Sequence, residues 1–205
     1  MTIFLGLTGS IGMGKSTTAQ FFSEAGIPVH DSDATVHRLY RGEAVPLIEE
    51  AFPGTTLEGS VDRTALAKHV VGNEIAMKKL ETIIHPLVRR EERAFRKYQT
   101  DSKQPLAILD VPLLFETNGD QRVDGIIVVT APAEIQRDRV LSRDGMTAEK
   151  FETILNRQTP DSDKRSKADF IVDTSQGYEA AKSAVLEIIN KVTSGNWSKA
   201  NSNHA

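Results

Sequence analysis

The sequence contains no cysteine, so no disulfide, thiolate metal centre or thiol nucleophile can form, and any chemistry must come from oxygen, nitrogen and main-chain groups. A reducing cytoplasm suits such a chain. It carries no excess of either charge: the formal net charge of -3 gives no general attraction for nucleic acid or for an anionic membrane, so a phosphate-binding surface must be local. It has no apolar run long enough to span a bilayer, and residues 1–7 lack the basic and then apolar pattern of a secretory leader. A soluble cytoplasmic protein is expected, with no membrane or nucleic-acid partner and no obligate protein partner evident. His30, His37, His69, His85 and His204 show no metal-ligand spacing, which argues against zinc. Residues 194–205 are rich in Ser, Asn and Lys with a single Trp197; this composition buries little apolar surface and predicts a flexible tail.

What is present is enough for one substantial core and a small attached lobe: 205 residues, 39% of them hydrophobic. Short runs rich in Ile, Val and Leu occur at 3–7, 27–29, 106–109, 125–130 and 170–172, and they read as buried parallel strands. Stretches with helical spacing lie between them at 15–24, 65–71, 86–98, 133–143, 148–157 and 178–192. Strand alternating with helix predicts an α/β sheet flanked by helices. Residues 31–105 break the rhythm with several helical segments and predict an inserted substrate lobe. The charged stretch 143–168 suits a lid.

Gly9-Ser10-Ile11-Gly12-Met13-Gly14-Lys15-Ser16 satisfies G-x-x-x-x-G-K-[ST] directly between a predicted strand and a predicted helix. The glycines permit backbone shapes that turn successive N–H groups inward, and the positive end of the following helix adds to that anion site. A nucleoside triphosphate with Mg²⁺ is the ligand such a loop implies. Gly9, Gly12, Met13, Gly14, Lys15, Ser16 and Thr17 are assigned to it, with Lys15 neutralising phosphate charge and the Ser16 hydroxyl ligating Mg²⁺.

In an open parallel sheet, ligands sit beyond the carboxyl ends of the strands. Asp31 and Asp33 lie at one such end. Asp33 could accept a hydrogen bond from an attacking hydroxyl and Asp31 could hold a metal-bound water, or one of them simply caps a helix starting near Ala34. Asp110 ends another apolar run, as a residue that orients Mg²⁺ indirectly or as a turn former. In His85-Pro86-Leu87-Val88-Arg89, Pro86 can open a helix that presents Arg89, Arg90 and Arg93 to an anionic substrate; a solvated helix offset by Glu91 and Glu92 is the alternative. Arg139 and Arg143 share a helix face beside the lid, positioned either for the transferring phosphoryl or for surface pairing with Asp138 and Asp144.

Together these residues resemble the dephospho-CoA kinase family, over the chain to about Gly177. The resemblance rests on Gly6-Leu7-Thr8 and the loop after it, Asp31-Ser32-Asp33, the His85–Arg89 segment, and Asp110-Val111-Pro112-Leu113-Leu114-Phe115-Glu116. It extends to the segment from Gln136 to Arg143 with Asp144-Gly145, and to Arg157-Gln158, Lys164 and Ala168-Asp169. It implies a P-loop kinase fold: a five-stranded parallel sheet with a core at 1–30, 106–142 and 169–193, a helical acceptor domain at 31–105 and a lid at 143–168. It implies ATP and dephospho-CoA as substrates, with the ribose 3′-hydroxyl phosphorylated. Asp33 would be the base, His85 and Arg89 would bind the coenzyme A moiety, the segment from Asp110 to Glu116, Leu113 included, would line the acceptor site, and Arg139 and Arg143 would belong to the lid; Lys15, Asp33, Arg139 and Arg143 are the catalytic candidates. The chain departs from the family at Ser10, Met13 and Thr174-Ser175-Gln176-Gly177. A shikimate-kinase-like enzyme would share the phosphate loop, but its Gly-Gly-Gly segment is missing. A regulatory GTPase would need Asn-Lys-x-Asp, whereas Asn190-Lys191 is followed by Val192-Thr193. A non-catalytic nucleotide-binding module is the third reading.

Overall fold

The computed structural model, which describes residues 1–198, turns four of the apolar runs into the strands β1 (Ile3–Thr8), β5 (Leu106–Asp110), β6 (Gly125–Thr130) and β7 (Phe170–Asp173), while β2 (Val29–Asp31) begins only at the last residue of the run expected at 27–29. They form one sheet in the order β2-β5-β1-β6-β7. Neighbours are parallel, with Leu5 opposite Ile108 and Gly125, and Val129 opposite Val172. β5 and β6 are buried at every position, the pattern of strands covered on both faces.

The chain divides into two compact units, Met1–His30 with the chain from Gln99 onward, and Asp31–Tyr98. In the first, helices α1 (Lys15–Glu24), α6 (Ala133–Leu141), α7 (Ala148–Leu155), α8 (Asp161–Ser166) and α9 (Tyr178–Thr193) accompany the sheet. Its core joins Leu5, Leu7, Phe21, Phe22, Ile108, Ile127 and Val185. Full burial stabilises by about 1.5–3 kcal/mol for a side chain such as Phe22. Trp197 belongs to this core too: it is 6% exposed, 5.3 Å from the Phe170 ring, and a Cβ on Gly125 would meet it at 2.5 Å. One large apolar side chain from the polar segment expected to be a tail is thus packed into the core. Residues 199–205 lie outside the described residues.

The second unit contains α2 (Ser32–Leu39), α3 (Ala44–Ala51), an antiparallel hairpin of β3 (Thr56–Leu57) and β4 (Ser60–Val61), α4 (Arg63–Val70) and most of α5 (Glu74–Asp101). The hairpin turns on Glu58 and Gly59, both at positive φ. Leu39, Ile48, Phe52, Leu66, Leu80 and Ile84 make a separate core.

Pro86 does not open a helix; it lies inside the 28 residues of α5. Proline there removes one main-chain donor and crowds the preceding turn. Burial of Leu80 and Ile84 before it, with Leu87 and Val88 packed after it, carries the helix through.

Candidate active site

The phosphate loop follows β1 and ends at α1, as its sequence requires. Gly12 and Gly14 hold φ near 80° and 91°, a left-handed region that side chains with a Cβ rarely adopt. A Cβ on Gly12 would also lie 2.5 Å from Val140 and 3.0 Å from the Gln136 carbonyl. Helix α1 begins with no side-chain cap and no acidic residue in its first turn. Helices α2, α4 and α7 are capped by Asp31, Asp62 and Thr147, and although α3 shares the bare start, only α1 follows the glycine loop. The N-terminal amides and positive dipole end of α1 are thus left to an external anion.

Lys15 is held at the end of β5. Its Nζ lies 2.5 Å from Asp110 Oδ1, with the two side chains 16% and 4% exposed. A buried carboxylate requires such a counter-charge, and the pair stations the ammonium beside the loop. Ser16 and Thr17 are exposed on the first turn of α1. Met13 contributes differently from its neighbours: its side chain is 2% exposed, its Sδ accepts from the Ala131 N–H at 3.1 Å and its own N–H donates to the Ser10 carbonyl at 3.1 Å, so it shapes the loop from within.

Arg139 and Arg143 come together with Gly12, Gly14, Thr17 and Tyr178 around a cavity of about 390 Å³. Arg139 donates to Thr174 Oγ1 at 2.7 Å and to the Thr174 carbonyl at 2.8 Å. That hydroxyl in turn donates to the Met13 carbonyl at 2.9 Å. Thr174 therefore ties Arg139 to the phosphate loop.

The stretch expected to be a lid is fastened over its second half. Gln158 accepts from the Ile11 N–H at 3.0 Å, and the Thr159 N–H donates to Glu116 at 2.7 Å. Asp161 accepts from Thr130 at 2.9 Å. Lys164, fully buried, lies 3.4 Å from Glu116 in an ion pair without hydrogen-bond geometry. Burial pushes the Glu116 carboxyl up, but the amides of Thr159 and of Glu116 itself, with Lys164, outweigh it and hold the group below the ordinary carboxylate range. Leu113, on the same segment as Glu116, is 42% exposed whereas Leu114 is buried.

In the helical unit, Asp31 is the helix cap, accepting from the Ala34 N–H at 2.9 Å. Asp33, in the first turn of α2, lines a cavity of about 320 Å³ with His37, Tyr40, Arg63, Leu66 and Val70. His85 and Arg89 line another, of about 390 Å³, with Lys78, Glu81, Thr82 and Pro86. Arg90 does not join them, because it is paired with Glu43. Pattern reasoning overlooked Gln136, Gln158 and Thr174 as parts of the loop's support.

A sequence model described as dephospho-CoA kinase matches residues 3–179. The chain belongs to the dephospho-CoA kinase family. A dephospho-CoA kinase of Mesorhizobium japonicum is 59% identical over 190 residues, 93% of this chain and 96% of the relative. One from Agrobacterium fabrum is 56% identical over 192 residues, 94% and 99% of the two chains. Among solved structures, a Thermus thermophilus protein aligns with a TM-score of 0.81 at 33% identity, covering 92% of this chain and 96% of that one. A dephospho-CoA kinase from Campylobacter jejuni aligns at 0.70 and 26%, covering 96% and 100%. A shikimate kinase from Acinetobacter baumannii, at 0.55 and 18%, shares the fold alone. The fold of this family member is thus that of the P-loop kinases, a five-stranded parallel sheet flanked by helices.

Proposed function

We propose that this protein transfers the γ-phosphoryl group of ATP to the ribose 3′-hydroxyl of dephospho-coenzyme A, yielding coenzyme A and ADP, the last step of coenzyme A synthesis. The observation that carries the reading is the uncapped, acid-free start of α1 behind a glycine loop, with the Lys15 ammonium held beside it by Asp110. This is a site built for a polyphosphate in a chain of this family.

Main-chain amides of the loop and Lys15 hold the triphosphate tail. Ser16 offers a hard oxygen on the exposed first turn of α1, and no group of three His, Cys, Asp or Glu able to hold an ion occurs among the described residues. That donor set suits Mg²⁺, which takes few protein oxygens and the rest from phosphate and water; when bound it neutralises charge on the phosphates. Asp33 accepts the proton of the ribose hydroxyl, which needs only alignment and a weak base at this stage. His85, Arg89, Asp110 and Leu113 bind the acceptor. Arg139 and Arg143 stabilise the phosphoryl group in transfer; Arg139 first exchanges its bonds to Thr174 for that contact. No helix among the described residues is long and apolar enough to cross a membrane, and dependence on ATP makes the cytoplasm the expected compartment.

ADP release in a coupled assay, with dephospho-CoA, shikimate, nucleoside monophosphates and pantothenate compared as acceptors, tests the reading. Turnover is expected with dephospho-CoA. Turnover with shikimate instead would favour the rival kinase, and binding of ATP without turnover on any acceptor would favour a nucleotide-binding module.

A further inference from the structure

Ile11, third residue of the phosphate loop, has both of its main-chain polar groups taken by side chains far away in sequence. Its carbonyl accepts from Gln136 Nε2 at 2.7 Å, and its N–H donates to Gln158 Oε1 at 3.0 Å. Each glutamine must present a defined end, because a carbonyl can only accept and an N–H can only donate. Gln136 lies on α6 and is 4% exposed, so its amide is enclosed with the group it serves. Gln158 is fixed in turn, since the next amide, Thr159 N–H, is held by Glu116.

The direction of these bonds matters for the ligand. No cis peptide occurs among the described residues, and a trans peptide points its C=O and N–H in opposite directions within one rigid plane. Holding the Ile11 carbonyl on the Gln136 side therefore turns the Gly12 N–H to the other side. Thr174 acts likewise two residues on, where its hydroxyl grips the Met13 carbonyl and turns the Gly14 N–H away from it. Meanwhile Gln158 occupies the Ile11 N–H itself.

We propose that Gln136 and Gln158 are positioning residues of the phosphoryl-transfer site: gripping Ile11 from both faces, they fix the two peptide planes that aim the Gly12 amide at the triphosphate. The proposal rests on the reading of this loop as the ATP site. An oriented amide is worth more than a free one, because no reorganisation is left to be done when the anion arrives. Gln136 does most of this, since it sets the plane that contains the Gly12 N–H. Gln158 acts one peptide earlier and excludes Ile11 from phosphate contact.

Gln136→Met and Gln158→Met keep side-chain length and apolar bulk while removing the amides. Each full-length variant is titrated with ATP in Mg²⁺ and, separately, with dephospho-CoA, and its thermal unfolding is recorded. Gln136→Met should raise the ATP Kd about tenfold, the scale of one well-made hydrogen bond. Gln158→Met should raise it about threefold. Dephospho-CoA affinity should stay within about twofold of the unaltered protein in both. Unchanged ATP affinity in both variants overturns the proposal, as does an equal loss for the two ligands, which marks general structural damage. A readout independent of the variants is the backbone amide spectrum of the unaltered protein during the ATP titration. The Gly12 resonance should move strongly and Ile11 little; the reverse order overturns the proposal. If the unaltered protein binds no ATP at all, the ATP-site reading of the loop has failed instead.

Discussion

The Lys15–Asp110 pair can be weighed by a double-variant cycle using Lys15→Met, Asp110→Asn and the two combined. Exposed ion pairs contribute about 0–1 kcal/mol, while removing one partner of a fully buried pair costs about 3–5 kcal/mol. With the two side chains 16% and 4% exposed and 2.5 Å between the charged atoms, the coupling should fall between these limits, at about 2 kcal/mol. A loss of that size lowers Tm by about 4–8 °C in a chain of this length. The assay is urea unfolding followed by tryptophan emission. The single Trp197 is 6% exposed in the core of the sheet unit, so its signal reports the unit that contains the pair. Excess Mg²⁺ and ATP should shrink the coupling, because Lys15 then divides its charge between carboxylate and phosphate. A coupling below about 0.5 kcal/mol without nucleotide would refute the claim that Asp110 stations the ammonium.

Asp33→Asn should lower kcat by about 10²–10⁴ with ATP affinity nearly unchanged; turnover surviving within a few fold removes Asp33 as the base. Glu116 sits below its unfolded value near 4.5 in the folded chain, so the stability it adds is present above that pH and lost as pH falls through the folded value. Glu116→Gln should flatten this acid limb of the stability profile and cost about 3–5 kcal/mol at neutral pH by leaving buried Lys164 without its counter-charge; an unchanged acid limb in urea titrations contradicts this. Trp197→Ala should cost about 3–5 kcal/mol, whereas a freely moving tail would lose nothing.

The centre of the sheet was legible because β5 and β6 are buried at every position and read as unbroken apolar runs. Residues 125–130 matched strand β6 and residues 15–24 matched helix α1. The phosphate loop was legible because its chemistry forces a local pattern. Other parts depend on contacts that no local pattern encodes. Helix α5 runs through Pro86 because burial of Leu80 and Ile84 outweighs the residue's own preference. Trp197 reaches the core from a polar segment whose composition predicts the opposite. The loop's supports lie 125, 147 and 161 residues from the groups they hold, at Gln136, Gln158 and Thr174. Side chain to main chain bonds of that span leave no periodic trace in a sequence. Asp31 showed how one spacing can serve two purposes: the candidate for a metal-bound water is a helix cap.

Calorimetric titration with ATP, with and without Mg²⁺, on the unaltered protein and on Lys15→Ala, tests the phosphate site most directly. Magnesium-dependent binding that Lys15→Ala weakens by at least about tenfold is the predicted result. Absence of magnesium-dependent affinity in the unaltered protein, or equal affinity in the variant, would contradict it.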